Sequence, residues 1–153
     1  MENTDNKTLA TIDILETLII ILDDGKLGYT NAAEHVEDTL TKLDFLGYAR
    51  DRSLLIVELQ DEINKLGQST DTEGGPMGAL HRKWIDIKSL FTGGDREAII
   101  NTCITGEKVA VEEYELAMKE ESLSPMLRNL ILQQLISIKN TLAKIELTKS
   151  ISV

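Results

Sequence analysis

The chain has 153 residues, 42% apolar and 27% charged, a composition that fits one ordinary globular domain and excludes disorder as its default state. A formal charge of -10 repels phosphate backbones, and no basic run with interleaved aromatics offsets it, so nucleic acid is not an expected partner. The longest apolar run, residues 18–22 (LIIIL), is far too short to span a bilayer, the acidic start lacks the charge pattern of a signal peptide, and the lone Cys103 gives no sign of an oxidising compartment. A cytoplasmic protein with no membrane association is the expectation.

Aromatics make up only 4% of the chain, while Leu, Ile, Ala, Glu and Lys dominate, a mixture suited to helices packed through aliphatic layers. The first stripe runs through residues 12, 15, 19, 22, Tyr29, Ala33, Val36 and Leu40, which predicts one long helix over about 7–40. Its phase survives Gly25 and Gly28, favouring continuity over a break at Asp24-Gly25. A second stripe, Phe45, Ala49, Arg52, Ile56, Leu59, Ile63 and Leu66, defines helix two, with Gly67 as its C-terminal cap.

Residues 68–76 (QSTDTEGGP) have the chemistry of a surface loop. Leu80, Trp84, Ile87 and Leu90/Phe91 then predict a short helix over 77–91, ended by Gly93-Gly94. Asp95 offers an N-cap for helix three, whose inward face carries Ile100, Cys103, Glu107, Ala110, Tyr114 and Ala117. Ser124-Pro125 starts the last helix, with Leu127, Ile131, Leu135, Ile138, Leu142 and Ile145 forming its seam. No strand pattern occurs. Short turns after helices one and three, and a long connection between two and three, predict an all-α antiparallel four-helix bundle of ferritin-like topology in a single domain, 1–153.

Several motifs carry a resemblance. Asp24-Gly25-Lys26-Leu27-Gly28-Tyr29 with Ala32-Ala33-Glu34, then His81-Arg82-Lys83-Trp84, and Cys103 with Gly106-Glu107 and Tyr114, resemble the bacterial ferritin-like family catalogued as domain of unknown function 2383, over about residues 10–147. That resemblance implies a ferritin-like bundle and a stress-linked bacterial role. Ferritin-type di-iron sites use two Glu and two Glu-x-x-His pairs, all pointing inward. Here His35 and His81 are the two histidines, with Ala32 and Gly78 three residues before them, so the motif is missing. By the family pattern, Ile20 and Leu142 stand where a metal-binding member would place a Glu and a His.

The inward stripes also hold polar residues. Lys26, Arg52 and Glu107 fall in phase with the core and Gln134 flanks the last stripe, predicting a central polar layer in which Arg52, with Lys26, pairs with Glu107. The bland alternative is that the long basic stems reach solvent. His81, Arg82 and Trp84 form one compact basic and aromatic patch suited to an anion or a partner, or simply an anchor for the short helix. Cys103, on an apolar stripe, reads as inert packing. No Ser-His-Asp set, phosphate loop or paired-Cys metal motif is present.

Two functions follow as expectations. The first is a non-enzymatic structural or interaction protein without cofactor, self-associating or holding a protein partner. The alternative is an oxidase or storage protein holding iron or manganese on a noncanonical carboxylate set of Glu107 with Glu16, Glu34, Glu58 or Glu62. A peptide-binding helical groove is a third reading.

Overall fold

A computed structural model of the chain describes residues 2–67 and 95–151. The predicted loop over 68–76, the short helix over 77–91 and the patch of His81, Arg82 and Trp84 lie outside the described residues. Within them there are four helices and no strand: α1 (Glu2–His35), α2 (Thr39–Lys65), α3 (Arg96–Met118) and α4 (Pro125–Ser150).

The helix ends follow the cap chemistry of the sequence. Asp38 accepts from Thr41 N, Asp95 from Ala98 N at 2.8 Å, and Ser124 from Leu127 N, each satisfying an amide that the first turn leaves without a partner. Gly67, with φ of +87°, takes the left-handed position after α2 that a side chain would strain. Helix α1 passes through Gly25 and Gly28 unbroken but ends at His35, five residues earlier than its stripe predicts. Asp38 is the reason: it caps a new helix, so Leu40 belongs to α2 and is 77% exposed.

Contacts at both ends fix the topology. Arg96, at the start of α3, bonds Asp38 Oδ1 at 3.2 Å and reaches Thr41 at the start of α2, so these two helices begin at the same end. Thr11 of α1 donates to Ser122 O at 3.1 Å in the turn between α3 and α4, which places the beginning of α1 at the opposite end. Arg128 closes that end by donating to the Met118 and Glu120 carbonyls left free by the end of α3. The order is therefore up, down, down, up, with residues 68–94 joining two parallel helices, the one-crossover bundle that the sequence predicts.

The core falls into two apolar clusters. The lower one gathers Leu15, Leu18 and Leu22 of α1, Leu59 and Ile63 of α2, Ala110 and Tyr114 of α3, and Ile131 and Ile138 of α4. The upper one gathers Tyr29, Ala33, Phe45, Ala49, Ile100, Cys103 and Ile145. In every helix the step from one cluster to the other crosses a buried polar or glycine position: Asp24-Gly25, Arg52, Glu107 and Thr141.

Candidate functional site

Arg52 and Glu107 meet between the clusters. The guanidinium Nη2 donates to Glu107 Oε1, and the two side chains are 2% and 3% exposed. Two such charges survive away from water because each neutralises the other, and a stranded partner would cost several kcal/mol. Burial opposes the arginine's charge, but Glu107, with Tyr29 and Tyr114, raises its pKa overall.

The surroundings are built to hold a flat cation. Tyr29 presents its ring to the guanidinium carbon at 5.8 Å from the centroid, within reach of a cation–π attraction, and packs against Phe45 and edge-on to Tyr48. Gly25 provides the space on α1. A Cβ there would lie 3.3 Å from Arg52 Nε, so the missing side chain lets the arginine lie against the helix backbone.

Two buried polar atoms at this level are not engaged by protein hydrogen bonds of ordinary geometry: Glu107 Oε2 and the Tyr29 hydroxyl. Burial raises the Tyr29 pKa well above its ordinary value, and the nearby Glu107 charge adds to the shift. Cys103, one turn from Glu107, has its thiol pushed up to about 12 by burial and then by the same carboxylate, so it stays protonated and unreactive at neutral pH.

Of the predicted layer, the structure brings together Arg52 and Glu107 and leaves out the other two. Lys26 is exposed. One helical step, about 100°, separates it from Gly25, and that step carries it off the inward face where the glycine itself meets Arg52. Gln134 is buried, but lower in the bundle and in a different network. Its Oε1 accepts from the Tyr114 hydroxyl at 2.8 Å, and its Nε2 donates to Leu55 O at 3.2 Å and Glu58 Oε1 at 3.3 Å, tying α2, α3 and α4 together. Gln134→Leu is expected to lose about 1–3 kcal/mol by stranding the Tyr114 hydroxyl, and adding Tyr114→Phe to recover most of it, since the Leu55 carbonyl lies within α2, where the helix supplies a donor, and the exposed Glu58 carboxylate meets water. Urea denaturation of the single and double variants checks this; a double variant as weak as the single one refutes it.

Among the alternative carboxylates, Glu34 and Glu58 are exposed and Glu16 and Glu62 half-buried, leaving Glu107 the buried member of that set. Asp24 is a buried carboxylate that the apolar stripes do not mark. The adjoining Gly25 marks the approach of Arg52, and no signal in the stripes marks Asp24 itself. Ile20 is buried, and Leu142 packs partly buried against the upper cluster, so both complete the apolar core. Among the described residues no three His, Cys, Asp or Glu side chains converge.

Comparison with known proteins agrees with this architecture. A solved structure of a Dps1 point mutant from Mycobacterium smegmatis superposes with a TM-score of 0.79 at 15% identity, covering 95% of this chain and 99% of that one, a likeness of fold. No curated protein sequence matches. The family model described as "Domain of unknown function (DUF2383)" matches residues 10–120, well over half of the chain and including both partners of the central ion pair. The protein is thus a ferritin-like four-helix bundle, and it belongs to the family of domain of unknown function 2383.

Proposed function

We propose that this chain is a non-enzymatic structural or interaction protein in which a side-chain cation, Arg52, takes the central position that di-iron members of the ferritin-like fold give to metal. The observation that carries the proposal is the buried Arg52–Glu107 pair. An oxygen already accepting from a guanidinium is a poor ligand, and a divalent cation beside it would face a buried positive charge at short range. The packing of Tyr29 and Gly25 around Arg52 supports a built cation seat over an accidental one. A stress-linked bacterial setting completes the proposal and rests on the family resemblance, and a cytoplasmic location is proposed with it on the charge and hydropathy of the sequence.

One observation favours the second reading, a metal-dependent oxidase or store: Glu107 Oε2 and the Tyr29 hydroxyl are buried with acceptor capacity to spare. Elemental analysis decides between the two. Protein purified without chelator, then incubated with Fe(II) or Mn(II) and desalted, is expected to carry far less than one metal per chain, with no change in Glu107→Ala. Stoichiometric iron or manganese that disappears in Glu107→Ala replaces the first reading with the second.

A further inference from the structure

The outward face of α2 is as regular as its inward one. Leu40, Leu43, Gly47, Arg50, Leu54 and Val57 step by three, four, three, four and three along it. The four aliphatic members are 77%, 58%, 58% and 52% exposed in that order, and Gly47 and Arg50 are exposed as well. A solvent-facing stripe needs no apolar heptad, so its spacing implies a partner helix.

The stripe is also palindromic. Turned end for end about a point between Gly47 and Arg50, it maps Leu40 onto Val57, Leu43 onto Leu54, and Gly47 onto Arg50. An antiparallel pair of helices related by a two-fold axis makes these matches, because such an interface must be self-complementary. The centre fits in shape and in charge. A Cβ at Gly47 would meet nothing within 4 Å, so the glycine is not required by its own fold, and it sits in a shallow surface hollow bordered by Leu43, Asp44, Arg50, Asp51 and Leu54. The long Arg50 of a second copy fills that hollow, between the carboxylates of Asp44 and Asp51, which flank Gly47 at three residues before and four after.

We infer that two copies of this chain associate through an antiparallel α2–α2 contact in which Leu40 packs on Val57, Leu43 on Leu54, and Arg50 seats over Gly47 between Asp44 and Asp51. The inference is independent of how the central layer is used, since none of these residues touches it. A contact limited to one helix face lies at the small end of stable interfaces, which bury about 1,200–2,000 Å² in total, so association is measured at high chain concentration.

Sedimentation equilibrium of the full chain at tens of micromolar tests it. The parent is expected at twice the chain mass of 17.0 kDa or an even multiple of it. Arg50→Glu alone, and Asp44→Lys with Asp51→Lys alone, are each expected to weaken association at least tenfold, because each places like charges at the centre. Mixed one to one, the two variants restore it, since the carboxylate introduced in one copy meets the ammonium groups introduced in the other. All of these positions are exposed, so the circular dichroism spectrum should match the parent's, while the melting temperature falls only by what association contributes. A monomeric parent overturns the inference; so does a dimer indifferent to both variants, or a mixture that stays dissociated.

Discussion

Glu107→Leu is expected to destabilise the fold by about 3–5 kcal/mol, because it leaves the Arg52 guanidinium in the core without its counter-charge. For a chain of this length that corresponds to a fall in melting temperature of roughly 10 °C. Arg52→Met should cost a similar amount by stranding the carboxylate. Combining the two removes both charges and fills the space with apolar atoms, so the double variant should return to within about 1 kcal/mol of the parent. That non-additivity is the signature of a buried pair, and denaturant titration of the four proteins measures it. Arg52→Lys should not rescue Glu107, since an ammonium neither lies flat against α1 at Gly25 nor spreads its charge over the Tyr29 ring. Four proteins with equal stabilities would show that the pair contributes nothing.

The pairing is visible in the sequence because phase alone brings it about. Arg52 falls between Ala49 and Ile56 on one stripe and Glu107 between Cys103 and Ala110 on another, and helix geometry leaves two such residues little choice but to face each other. Caps are legible for the same reason: Asp95, Ser124 and Gly67 act on neighbours three or fewer residues away. Lys26 misleads because a stripe several residues wide has edges, and only the approach of another helix decides whether an edge position is in or out. Its neighbour Gly25 is the inward residue, a fact set by Arg52 from α2. Tyr114 and Gln134 each fall on or beside a stripe, yet their hydrogen bond joins positions whose relative height depends on the turn between α3 and α4, which periodicity does not encode. The polar layer is thus half local pattern and half tertiary consequence.

The same layer makes the protein sensitive to base. Burial, and then Glu107, raises the Cys103 thiol from its ordinary 9.0 to about 12. Burial also raises the phenols of Tyr29 and Tyr114 above their ordinary 10.0, with Glu107 adding to both shifts. A group whose pKa is higher in the folded than in the unfolded state contributes its full stability below the unfolded value and loses it as pH climbs toward the folded one. Below pH 9 these three groups are therefore neutral in both states and stability is flat with respect to them. Above pH 9 the unfolded chain gives up the Cys103 proton and the folded chain keeps it, a loss of about 1.4 kcal/mol per pH unit. From pH 10 the unfolded chain begins to give up the protons of the two tyrosines as well, which burial holds on in the folded chain, and the decline steepens. Tyr48, pushed to about 12 by burial and then by Asp44 and Asp51, adds less because it remains half-exposed. Urea midpoints measured from pH 8 to 11.5 should hold level and then fall with a break near 9, and Cys103→Ala should move that break to about 10. Midpoints unchanged up to pH 11 would mean that these hydroxyls and the thiol reach water in the folded chain, and the sealed layer around Glu107 would have to be abandoned.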